Sequence, residues 1–273
     1  MFDWFAKMLS YHFMQRALVV GVLVALCAAL LGVSLVLKRY SMIGDGLSHV
    51  GFGSLAVATA MGLSPLAVTI PVVVIAAFLL LRLSSRGKLK GDAAIAMIST
   101  GALAVGVIVL SLSSGMTSDV NNYLFGSVLA MSASDVRLSM VLAVMVLILF
   151  VVFYRPIFAV TFDETFARAT GSHAEACNML LALLTAITIV LGMRVMGAML
   201  ISSLIIFPAL TAMRVCKSFR GVTLCAAVIS VLCFFIGLCV SYQFSTPAGA
   251  SVVVVNILAY ALFALVGKCR SLR

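Results

Sequence analysis

The run ALVVGVLVALCAALLGVSLVL, Ala17 to Leu37, holds no charged residue and stops at Lys38-Arg39. A helix of about 20 apolar residues crosses about 30 Å of hydrocarbon, so an uncharged run of this length reads as a membrane span. Its basic stop adds an orientation, because Lys and Arg gather on the cytoplasmic side of short loops. The rest of the chain repeats this pattern. Of 273 residues, 64% are hydrophobic and 10% charged, with mean hydropathy +1.27. A soluble domain is about half apolar and a quarter charged. The sequence predicts an all-α polytopic membrane bundle, a single transmembrane domain over residues 1–273, with about eight or nine transmembrane helices.

Taken in order, the runs are Ala17 to Leu37, Met42 to Gly62, Leu66 to Leu83, Ala93 to Leu112, Leu138 to Val160, Cys177 to Gly192, Val195 to Met213, Leu224 to Gln243 and Gly249 to Val266. Pro65 suits the first position of the third helix. Residues 1–15, with Trp4, Phe5, Tyr11 and Phe13 and few charges, read as an interfacial N-terminal segment without a cleavable signal. Between Ser113 and Asp135 the apolar patch Leu124 to Met131 is too short to cross, and predicts a short re-entrant helix.

The net charge of +10 is gathered in clusters between apolar runs rather than along a binding stripe, which argues against a nucleic-acid partner. Placing Lys7, Arg16, Arg137 and Arg194 outside leaves the other fourteen of the eighteen basic residues in the cytoplasm. That arrangement requires the N-terminus outside and the C-terminus inside. The seven cysteines have no CxxC spacing and read as small buried side chains. The fifteen methionines lack a repeated MxxM pattern and read as apolar filling, and His12 and His173 as surface histidines. Pro208 and Gly197 read as kink and packing devices.

Asp45 and His49 stand out. Four residues apart, they share one face of the second helix. An Asp at a helix centre costs about 2.5 to 3.5 kcal/mol to insert, so intramembrane acids are read first as functional. Two readings stay open. Asp45 caps the helix and His49 donates to a backbone carbonyl, or the pair binds a metal ion in passage. One carboxylate and one imidazole are few for chelation. Doubled across a twofold axis they make a mixed O/N site fit for Zn²⁺, Mn²⁺ or Fe²⁺.

The order of motifs resembles a family. Lys38-Arg39, Met42-Ile-Gly-Asp45-Gly-Leu-Ser-His49, Asn122-Tyr-Leu-Phe-Gly-Ser127, Asp163-Glu-Thr-Phe-Ala167 with Gly171, Met196 to Ala209, and Thr246-Pro-Ala-Gly-Ala250 resemble the permease subunits of ABC transporters for zinc, manganese and iron. The similarity runs from about residue 15 to 266, and departs at Phe52-Gly53-Ser54, where many relatives have Leu-Pro-Gly. The resemblance implies an importer working by alternating access in the bacterial cytoplasmic membrane. Its implied partners are a second copy of the chain, separate ATP-binding subunits and an extracytoplasmic metal-binding protein. The transported ion would line up with Asp45 and His49, with no permanently bound cofactor. Residues 161–175 would form a cytoplasmic coupling segment, with Asp163 and Glu164 at a helix N-terminus, Gly171 within the matched motif, and Phe166 and Ala167 packed into the ATPase.

The chain has no G-x-x-x-x-G-K-[ST] loop, in keeping with an energy source on another subunit. It is thus read as a transport subunit rather than an enzyme. A gradient-driven secondary transporter with Asp45 and His49 as a proton relay is the alternative. An intramembrane hydrolase fits poorly, since neither H-E-x-x-H nor G-x-S-x-G is present.

Overall fold

The computed structural model describes residues 10–86, 91–113 and 133–271. Eleven helices follow in order among them: α1 (His12–Leu37), α2 (Ser41–Ala60), α3 (Pro65–Arg86), α4 (Gly91–Leu112), α5 (Ala133–Val152), α6 (Tyr154–Phe162), α7 (Glu164–Ala169), α8 (Ala174–Met196), α9 (Ala198–Met213), α10 (Phe219–Phe244) and α11 (Ala248–Ser271). The expected re-entrant helix and residues 1–9 of the N-terminal segment lie outside the described residues.

Among the described residues, seven helices are long and apolar enough to cross a membrane: α1, α3, α4, α5, α8, α10 and α11. That is fewer than the eight or nine expected, and the difference has a physical source. α2 is 20 residues long, but its glycines, serines, Asp45 and His49 dilute its apolar character. α9 has only 16 residues. Two other expectations shift as well. The fifth run breaks at Phe153 into α5 and α6, and the seventh starts at Ala198 rather than Val195.

α1 and α8 form the inside of the bundle. Val20, Val24, Ala25 and Ala28 of α1 and Leu184, Ile189 and Val190 of α8 are fully buried. The outer helices turn apolar residues outward, as Ile75, Ile108, Val141 and Leu262 do. This is the expected reversal for a bundle in lipid, where tails are as apolar as leucine and small residues set helix approach. Gly32 is such a residue: a Cβ there would lie 2.0 Å from the Ile205 carbonyl oxygen, so α1 and α9 touch backbone to backbone.

Only Gly197 separates α8 from α9, with φ 87° and ψ 160°. Gly192 packs against Ile201 and Val24, Gly21 lies beside Met196, and Gly32 lies beside Ile205. The chain thus reverses at the depth of Gly21, inside the end of α1, and α9 is a short helix that begins within the bundle. The positive φ is open to glycine without the penalty of a Cβ.

Candidate functional site

Asp45 lies one turn inside α2, whose N-cap is Tyr40. It therefore does not cap the helix. Its Oδ1 instead accepts a hydrogen bond of 3.1 Å from the Ser202 hydroxyl of α9, and its Oδ2 lies 3.6 Å from His49 Nε2. At that distance the imidazole contacts the carboxylate without a proper hydrogen bond. His49 Nδ1 is shielded from solvent and has no hydrogen-bond partner among the described residues. The donation to a backbone carbonyl open to it on sequence grounds is thus absent. The Asp45 side chain is 42% exposed and that of His49 21%.

The exposed carboxylate opens on a groove of about 490 Å³ between α2, α9 and α11, lined by Asp45, Ser202, Ser203, Phe207, Ala250 and Val254 among others. Gly249 and Ala250, the end of the Thr246-Pro-Ala-Gly-Ala250 stretch, therefore form part of one wall. The stretch is shaped by the left-handed Ser245 (φ 51°) and by the Ser241 hydroxyl, which donates to the Thr246 carbonyl at 2.6 Å. No cluster of three His, Cys, Asp or Glu able to hold a metal occurs among the described residues. At this groove the chain alone offers one carboxylate and two serines, with the His49 imidazole beside the carboxylate. Among the described residues, six cysteines are free, three of them buried.

The second set of predicted residues is on α7. Asp163 caps it, its Oδ1 accepting from the Phe166 N–H at 2.9 Å. Gly171, at φ +84°, closes the turn beyond it, donating its N–H to the Arg168 carbonyl at 3.1 Å. Phe166 is 66% exposed while Ala167 is 1% exposed, packed with Val160, Ala174 and Cys177. Of the two residues expected to enter a partner, only Phe166 faces outward. Phe162, one turn earlier, is exposed with it.

Glu164 has a role that sequence reasoning missed. Lys38 Nζ, at the C-cap of α1, donates to Glu164 Oε2 at 3.3 Å, Asn178 Oδ1 at 2.5 Å and the Val160 carbonyl at 3.2 Å. Asn178 Nδ2 also donates to Glu164 Oε2 at 3.0 Å, and Arg168 binds Oε1 at 2.8 Å. Burial pushes the Glu164 carboxyl up, but the Asn178 amide and the Lys38 and Arg168 cations outweigh it and hold it below the usual carboxylate range. For Lys38, burial prevails over the pull of Glu164 and leaves the ammonium below its ordinary value. The two ends of the pair thus differ. The carboxylate gains by it, while the ammonium is only partly repaid for its desolvation.

Lys38 read from sequence as a stop to the first span, and nothing local marks Asn178. Ser202 was visible only as a serine in an apolar run. A further ion pair, Arg194 to Asp135 at 3.2 Å, joins α8 to α5 at the opposite end of α8 from Asn178.

A model of the ABC 3 transport family matches residues 10–267. The manganese transport system membrane protein MntC of Halalkalibacterium halodurans is 30% identical over 262 residues, which cover 96% of this chain and 89% of that protein. The high-affinity zinc uptake system membrane protein ZnuB of Haemophilus influenzae is 30% identical over 252 residues, 92% of this chain and 97% of that one. The solved structure described as PsaBC from Streptococcus pneumoniae in complex with Fab superposes at a TM-score of 0.86 and 27% identity, over 96% of this chain and 95% of the other.

Proposed function

The chain belongs to the ABC 3 transport family, and from that premise we propose that it is the membrane-spanning subunit of an ATP-driven importer for a divalent transition-metal ion. The observation that carries this reading is the Asp45–His49 pair, its carboxylate on an open groove with one oxygen steadied by Ser202 and the other beside the His49 Nε2. Two ligands hold an ion weakly, and a second copy facing the same groove would supply two more. Weak coordination suits a path that an ion must both enter and leave.

The rest of the transporter follows from the chemistry the chain lacks and the surfaces it offers. ATP hydrolysis belongs to separate subunits, which dock on α7 through the exposed Phe166. An extracytoplasmic protein delivers the ion. ATP-driven closure of the ATPases moves α7 and alternates access to the groove. The basic clusters orient the bundle with Lys38, α7 and Arg214 to Arg220 in the cytoplasm. Carboxylate and imidazole accept manganese, zinc and iron alike, and relatives for manganese and zinc are equally similar to this chain.

The test is uptake by the complete transporter in proteoliposomes, with zinc, manganese and iron competing. ATP-dependent uptake of one of them, lost in Asp45→Asn and His49→Ala proteins that still assemble, is the expected result. Uptake that proceeds without ATP and collapses with the proton gradient would overturn the reading.

A further inference from the structure

Tyr154, Arg155, Phe158, Ser218, Phe219 and Arg220 enclose a cavity of about 350 Å³ between the starts of α6 and α10. Its floor is aromatic. Phe219 stacks with Tyr154 at 5.5 Å and with Phe158 at 5.1 Å between ring centroids. Each of its polar side chains can donate a hydrogen bond, and no carboxylate lines it.

Those donors are unspent. Arg214 is bonded to Tyr260, Arg168 to Glu164 and Arg194 to Asp135, whereas Arg155 and Arg220 have no hydrogen bond or ion pair among the described residues. The Tyr154 hydroxyl is shielded from solvent and also lacks a partner. Ser218 uses its oxygen to accept from the Gly221 N–H at 3.2 Å, which leaves its proton to give. The positive end of the 26-residue α10 adds to this field. Two guanidinium forks, two hydroxyls and a helix N-terminus with no acid among them select an anion, and the planar forks match phosphate oxygens.

The surroundings indicate what carries the phosphate. From Arg220 an exposed apolar stripe runs down α10 through Leu224, Val228 and Leu232, each four residues apart. On the other side, the end of α5 exposes Val151 and Val152 just before Arg155. The cavity therefore sits where two apolar outer faces end and uncompensated arginines begin, the level of phospholipid headgroups. We propose that it binds the phosphodiester of an anionic phospholipid, whose chains lie on the α5 and α10 faces. The site adjoins α7, since Phe162 stacks on both Phe158 and Phe219 and directly precedes Asp163. Bound lipid would steady the root of α7. The assignment rests on the transporter reading only in placing this end of the bundle at a membrane surface.

The experiment is lipid retention rather than transport, so its failure is separate from failure of the importer reading. The permease is purified with its ATPase. It is exchanged against vesicles of phosphatidylglycerol or phosphatidylcholine, and retained lipid is counted by native mass spectrometry. Wild type should keep phosphatidylglycerol over phosphatidylcholine, and R155A/R220A should lose it by about 30-fold, from two arginine contacts. R214A, whose guanidinium is engaged elsewhere, should behave as wild type. If the double variant does not assemble, R155Q and R220Q singly should each show a smaller loss.

Equal retention of both lipids, or of phosphatidylglycerol by wild type and double variant, overturns the proposal. Saturation by inorganic phosphate, with no preference for the lipid form, overturns the lipid source. Release of the ATPase from R155A/R220A with lipid retention unchanged would assign the arginines to that protein instead.

Discussion

Lys38 Nζ lies 3.3 Å from Glu164 Oε2 and ties the C-cap of α1 to the first residue of α7 across 126 positions of sequence. Lys38 also stands three residues before α2, the helix of Asp45 and His49. The segment proposed to meet the ATPase and the helix proposed to meet the ion thus share one buried anchor. The Lys38 side chain is 7% exposed and that of Glu164 34%, so loss of either partner should have unequal effects.

Glu164→Ala leaves a buried ammonium with only an amide and a carbonyl for company, and should cost about 3 kcal/mol. Lys38→Met leaves a carboxylate that still holds Arg168 and Asn178, and should cost about 1 kcal/mol. Thermal unfolding of the detergent-solubilised proteins checks the order. In the reconstituted transporter, both changes should lower metal moved per ATP hydrolysed more than they lower hydrolysis itself.

The same pair sets a pH dependence. The Glu164 carboxyl is lowered from 4.5 by folding, so its stabilisation is present above that value and lost as pH falls through the lower folded one. The Lys38 ammonium is lowered from 10.5. Its burial therefore costs stability at neutral pH, and that cost is relieved as pH rises towards 10.5. Unfolding midpoints of wild type and Glu164→Gln should converge on acidification below 4.5. An alkaline gain in wild type should be missing from Lys38→Met.

Asp45→Asn preserves shape and an acceptor for the Ser202 hydroxyl, but removes the charge. It should abolish uptake without altering assembly. Ser202→Ala removes only the group that steadies Oδ1, and a loss of about 10-fold in apparent metal affinity is expected, as for other groups that orient a ligand. Concentration-dependent uptake, beside unchanged gel filtration, distinguishes the two.

Phe166→Asp should leave the isolated permease as stable as wild type, because the ring is 66% exposed, while capture of the ATPase in pull-down falls sharply. Ala167→Leu should do the reverse at first instance. Three further carbon atoms forced between Val160, Ala174 and Cys177 would cost about 1–3 kcal/mol of permease stability. An ATPase capture defect in Ala167→Leu but not in Phe166→Asp would contradict this division.

Gly32→Ala places a Cβ 2.0 Å from the Ile205 carbonyl oxygen, and backbone cannot move aside as a side-chain tip can. A melting point several degrees lower is expected. Gly171→Ala meets no neighbour but holds φ +84°, and should cost about 1–2 kcal/mol through strain alone.

How much of this was legible in the chain depends on the range of each interaction. The membrane class, most helix positions and the Asp45–His49 pairing follow from sequence, because in lipid a helix satisfies its own backbone and residues four apart must share a face. The count of apolar spans was less legible. α2 and α9 are helices that packing against neighbours sustains, and neither is long and apolar enough to qualify by composition.

The fine structure of the site was decided by tertiary packing. Ser202 is 157 residues from Asp45, and Lys38 is 140 from Asn178. No pattern local to either end predicts those bonds. They exist because Gly32 and Gly197 let α1, α8 and α9 close on one another. The same packing turned Ala167 inward and Phe166 outward, though adjacent in sequence. The chain alone determined which residues are too polar for lipid to be there without cause. Only the fold decided which of them share an anchor, because side-chain bonds between helices depend on which helices are neighbours.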